Sequence, residues 1–214
     1  AASAIILATV GISYLLLGAV VLVKNPRQSL NRSFFFLLVS LVGWVWANYL
    51  GNLTGIPDGE ILFFNYATFV FPALSLYFTL KFILILSNAY KSVPHAVKLM
   101  MIGCTALASF IGASPYVIAG IKYHSDGNII LFVPLFAIYF IDILGFGLAI
   151  IIFLISGLRF KKGWEKNRLQ LVSLGIFVTL VVSVATNLLV PLFADNFALS
   201  SLGPVSTIGM VVAF

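Results

Sequence analysis

Asp142 is the residue of this sequence best placed to do chemistry. It stands in the stretch YFIDILGFG, an acid inside a long apolar run. An ionisable group in such surroundings contacts a ligand, moves with a proton, or is held by a neighbouring element and serves packing. On an insertion scale a central Asp costs about 2.5–3.5 kcal/mol, so it must face an interior, a cavity or a partner. Tyr139 lies one turn before it, near enough to share a helical face. Asn48 and Tyr49 close an earlier apolar run, Asn65, Tyr66 and Thr68 open the next, and Thr186 and Asn187 precede Pro191. The candidate ligand-binding set is therefore Asn48, Asn65, Tyr66, Tyr139, Asp142 and Asn187. With Trp44 and Trp46 nearby, such groups can line a small-molecule pocket. They can equally join helix to helix, at about 0.6 kcal/mol for an average bond. Pro72, in TFVFPALSLYF, takes the donor from the carbonyl of Thr68 and is the hinge candidate, a static kink being the plainer reading.

Other chemistries lack their residues. His95 and His124 both fall in connections, which removes intramembrane haem ligation. No His, Cys or carboxylate cluster has metal-ligand spacing, so no metal site is expected. No GxSxG, Walker A or GxGxxG motif occurs, and Asp142 has no second acid to pair with inside an apolar run. Lys81, near a run's end, is a poor candidate for a retinal Schiff base. The reading is no catalytic residue and no cofactor within these 214 residues. The single cysteine, Cys104, forms no intrachain disulfide and reads as a small core residue.

The elements that must position these groups follow from composition. The chain is 62% hydrophobic and 8% charged, against roughly 25% charged in a soluble domain. Such a chain cannot cover itself with polar surface, and it is too apolar for disorder. Barrel strands alternate in short segments, whereas here the apolar runs are long and continuous. A spanning helix needs about 20 such residues. Seven runs qualify or begin to: Ala4–Val23, Ser33–Leu53, Ile61–Leu86, Leu99–Gly120, Ile129–Leu158, Leu169–Leu192 and Leu199–Phe214. The first has its basic residues after it, the wrong flank for a signal peptide. No internal repeat is visible, which disfavours an inverted-repeat transporter.

Charge orients the runs. The odd connections carry Lys24, Arg27 and Arg32, then Lys91 and Lys98, then Arg159, Lys161, Lys162, Lys166 and Arg168. Lys81 lies on the same side and can snorkel. The even connections hold Asp58, Glu60, Asp126 and Asp195 against Lys122 alone. The net charge of +6 is thus a topology signal, with no nucleic acid as partner. By the positive-inside rule the basic side is cytoplasmic. The expectation is an all-α, polytopic membrane protein, a seven-transmembrane-helix bundle with its N-terminus outside and its C-terminus cytoplasmic.

Some residues look familiar as a set: Asn31, Phe34 and Trp44 in the second run; Pro72, Tyr77 and Phe78 in the third; Arg168, Gln170, Gly175, Thr186, Asn187 and Pro191 in the sixth; and Gly203 with Pro204 opening the last. In this pattern the chain resembles the N-terminal seven-helix membrane region of bacterial and archaeal sensor histidine kinases. The resemblance implies a sensory input domain over residues 1–214, whose last helix continues into a cytoplasmic output domain beyond 214. The whole chain would be a histidine protein kinase and a homodimer, set in the plasma membrane. It would detect a small hydrophobic, peptide or other membrane-borne signal and contact membrane lipids. The alternative from another class is a small transporter or channel subunit that uses Asp142 as a coupling site.

Overall fold

A computed structural model of the chain describes residues 2–53, 57–115, 117–124, 127–132 and 135–184. Helices α1 (Ala2–Lys24), α2 (Ser29–Gly51), α3 (Asp58–Leu86) and α4 (His95–Gly112) are followed by strands β1 (Ile118–His124) and β2 (Gly127–Phe132), then α5 (Phe136–Phe160) and α6 (Gly163–Val184). Helix ends fall where the backbone donors run out or the chain must turn. Pro57 and Pro94 stand immediately before α3 and α4, where a missing N–H costs little. Asn88 takes the left-handed conformation (φ 60) just past α3, and the amide of Tyr90 returns to the carbonyl of Leu84 across it, closing the helix as a C-terminal cap does. Asn31 Nδ2 donates to the carbonyls of Val21 and Asn25 at 2.9 and 3.2 Å. It thereby ties the start of α2 to the end of α1.

Five of these helices, α1 to α5, are long and apolar enough to cross a membrane. α3 has 29 residues, about 43 Å at a rise of 1.5 Å each, against a hydrocarbon thickness of about 30 Å. Their outward faces remain apolar. Ile12, Leu16 and Val20 on α1, Leu107 and Phe110 on α4, and Ile141, Leu148 and Ile152 on α5 are all exposed. A patch of that extent suits lipid rather than water. α6 opens on exposed polar turns around Glu165, Lys166 and Asn167. The seventh run and the end of the sixth lie outside the described residues.

α3 is the hub, packing on α2, α4 and α5. The main core joins Leu37, Leu38 and Leu41 of α2 to Leu80, Ile83 and Leu84 of α3, and reaches Ile150 and Leu154 of α5 and Leu169 and Ile176 of α6. Small residues set the approach. A Cβ on Gly43 would run into the Phe71 ring, so α2 and α3 meet there at a distance only glycine permits.

Two boundaries differ from the sequence expectation. The fourth run ends as helix at Gly112 rather than Gly120, and helix α5 begins at Phe136 rather than near Ile129. The residues between form an antiparallel hairpin with Ile118 opposite Phe132 and His124 opposite Gly127. Pro115 blocks continuation of α4, and the β-branched and aromatic residues of both strands favour strand pairing. Val117 and Ile118 are buried, and β1 touches α3, so the base of the hairpin packs on the hub helix.

Candidate functional site

Asp142 and Cys104 face each other from neighbouring helices. Asp142 is six residues into α5, about 9 Å along its axis. Cys104 is eight residues before the end of α4, about 12 Å from the same end of the bundle. These antiparallel positions meet at one depth, with the Cys104 thiol close enough to the Asp142 carboxyl group for the two to interact electrostatically. Asp142 is half-buried overall, yet its Oδ2 is buried and without a hydrogen-bond partner among the described residues. A thiol is a weak donor, so the acid retains unused hydrogen-bonding capacity inside an apolar bundle. That is where a proton or a polar ligand group gains most.

One turn away, Tyr139 binds α5 to the hub. Its hydroxyl donates to the carbonyl of Phe69 at 2.7 Å. That carbonyl is next to Thr68, whose acceptor Pro72 leaves without its helical donor. The Tyr139 ring meets Phe69 edge-on at 5.4 Å and stacks on Phe136 at 6.3 Å. Ala73, Ala108 and Tyr139 form a second small core. Gly112 lets α4 close on it, since a Cβ there would come within 2.8 Å of Phe69 Cβ. A helix with an internal proline, a tyrosine linking it to its neighbour and an under-satisfied acid thus share one three-helix junction.

Asn65 belongs to a second node, between the ends of α2 and α3. It is buried, and its Nδ2 donates to the carbonyls of Gly51 at 3.3 Å and Ile61 at 2.9 Å. Asn48 is buried one turn earlier on α2, where Asn52 Nδ2 donates to its carbonyl at 2.8 Å. Tyr66 is half-buried beside Asn65. The structure therefore brings Tyr139 and Asp142 together and sets Asn65 against the end of α2, one turn along α3 from Phe69. Asn187 lies outside the described residues. Pro72 sits within α3, which continues through it. Trp44 is buried in the main core, whereas Trp46 is half-buried against Gly11 of α1 and meets Tyr49 edge-on.

Sequence reasoning missed Cys104 as the partner of Asp142. A lone cysteine in an apolar helix carries no pattern that separates a thiol donor from a small hydrophobe. The Phe69 carbonyl, a backbone group, carries none at all. Among the described residues no group of three or more His, Cys, Asp or Glu is placed to hold a metal ion. No protein-family model matches the chain, and no curated protein matches it significantly.

Proposed function

We propose that this chain is the membrane-embedded input domain of a signal-transducing histidine kinase. In this reading it crosses the membrane seven times, starts outside and delivers its last helix to the cytoplasm. It responds to an extracellular or membrane-borne small molecule or peptide and passes a shift of the seventh helix to an output domain, within a homodimer. The observation that carries the reading is the α3–α4–α5 junction, because a sensor needs an element with two arrangements whose balance a ligand can bias. Here the hub helix carries Pro72 within it and is linked to α5 by Tyr139, beside an acid whose Oδ2 has no hydrogen-bond partner among the described residues. The one-sided basic connections and the resemblance in the second, third and sixth runs support the same reading.

The test is a chimera that joins residues 1–214 to a histidine-kinase output of known activity. Tyr139→Phe and Asp142→Asn should each change basal phosphorylation or the response to membrane-soluble compounds, with expression unchanged. Phosphorylation indifferent to both would overturn the proposal. The unused Oδ2 of Asp142 favours one second reading, a transporter that couples through that acid. Reconstituted substrate flux that Asp142→Asn abolishes would move the assignment there.

A further inference from the structure

The other end of the bundle carries a separate recess of about 170 Å³, between the start of α2 and the end of α3. Ser29, Arg32, Ser33, Phe36, Phe78 and Lys81 line it. Arg32 and Lys81 approach it from different helices, closely enough for their like charges to repel. Neither has an acidic partner among the described residues, where Lys161–Glu165 is the ion pair that forms. Ser33 is 2% exposed, and its Oγ has no hydrogen-bond partner among the described residues. Helical hydroxyls such as Ser40 and Thr105 are satisfied by the carbonyl one turn back, that of Phe36 at 2.7 Å and of Met101 at 2.8 Å, and besides Ser33 the one buried hydroxyl without a partner among the described residues is Ser109 of α4, away from this recess. No side chain caps the start of α2, so its first amides also present partial positive charge to the same end.

Two cations without an acidic partner, Lys81 resting over the Tyr77 ring at 5.8 Å, a buried unpartnered hydroxyl and an uncapped helix start form a donor set that an anion with several acceptor oxygens completes. A phosphate group meets that description. The walls say which phosphate. Phe36 and Phe78, each one turn farther into the bundle than the polar groups, stack at 5.3 Å with Phe36 exposed. An apolar wall rising from a cationic floor suits an acyl chain below a charged headgroup.

We propose that this recess is a binding site for a phosphate group, and that the phosphate is the headgroup of an anionic membrane lipid. Arg32 and Lys81 hold the phosphate oxygens, Ser33 donates from below, and the Phe36–Phe78 pair receives the chain. The inference rests on the membrane character of the bundle and is independent of the signalling reading.

The full chain, stripped of lipid in detergent, is titrated separately with phosphatidylglycerol, phosphatidylcholine and inorganic phosphate, and binding is followed by native mass spectrometry and thermal shift. Phosphatidylglycerol should bind about 10- to 30-fold more tightly than phosphatidylcholine, as two cations near a membrane surface allow. Arg32→Gln with Lys81→Gln should erase that preference, while Lys24→Gln with Arg27→Gln, at the same end but outside the recess, should leave it intact. Ser33→Ala removes no charge and should still weaken phosphatidylglycerol, which keeps the test decisive if the double variant fails to fold. Tight binding of inorganic phosphate with the same variant dependence would uphold the phosphate site and assign it to a soluble phosphate. No headgroup preference in the wild type, or equal loss in the Lys24 and Arg27 variant, would overturn the proposal.

Discussion

Replacing Tyr139 by Phe isolates the bond between the hub helix and α5. The residue is 6% exposed, and its ring contacts with Phe69 and Phe136 survive the substitution. Only the hydroxyl is lost, together with its 2.7 Å bond to the Phe69 carbonyl. A net intramolecular hydrogen bond is worth about 0.5–1.5 kcal/mol, and interhelical bonds in membranes average about 0.6 kcal/mol. The Phe69 carbonyl lies next to the acceptor that Pro72 deprives of its helical donor, and a value between these two ranges applies. The expected loss is about 1 kcal/mol, or roughly 2–4 °C in Tm for a chain of this size. Thermal unfolding in detergent, read by tryptophan fluorescence, measures it. Tyr139→Leu also removes the ring contacts and should cost at least twice as much. A Tyr139→Phe variant indistinguishable from wild type, or as unstable as Tyr139→Leu, would refute the idea that the hydroxyl ties α5 to α3.

Other perturbations test separate parts of the structure. Gly43→Leu should drive a side chain into the Phe71 ring and destabilise by about 1–3 kcal/mol, with Phe71→Ala restoring part of the loss in the double variant. Asn65→Leu removes the Nδ2 bonds to the Gly51 and Ile61 carbonyls and should cost about 1 kcal/mol in thermal unfolding. Asp142→Leu removes a polar group whose Oδ2 is unpartnered among the described residues, so Tm should hold or rise while the chimera's signalling response falls. Glu165→Gln breaks the i,i+4 pair with Lys161, whose carboxylate side is largely exposed, and should shift stability by less than about 0.5 kcal/mol.

The helices were legible because burial in lipid demands long uninterrupted apolar runs, and α1, α2 and α3 fall close to the runs read from composition. The hairpin was not. Ile118, Ile121, Ile129 and Ile130 raise mean hydropathy as effectively in a strand as in a helix, so a window of about 20 residues fused each strand to its neighbouring helix. The polar positions were legible for the same reason as the helices: Asp142, Asn65 and Tyr139 stand out against an apolar ground. Their partners were hidden. Asn65 and Tyr139 both donate to backbone carbonyls, which every residue possesses and no motif marks, and Asp142 pairs with the thiol of Cys104, which resembles a methyl group in any pattern. The recess at Arg32 and Lys81 was hidden for another reason. Each cation reads singly as a topology signal, and only the packing of α2 on α3 makes them neighbours.

Residue accessibility in intact cells tests the proposed topology most directly. Cys104, the single cysteine, is replaced by Ser, which keeps a donor for Asp142. Lys162→Cys or Gly59→Cys is then introduced, and each protein is treated with a membrane-impermeant maleimide before and after permeabilisation. Both positions are exposed, and a Cβ at Gly59 meets open space. Gly59→Cys should react in intact cells and Lys162→Cys only after permeabilisation. Reaction of Lys162→Cys in intact cells would place the basic connections outside and contradict the assignment of a cytoplasmic output.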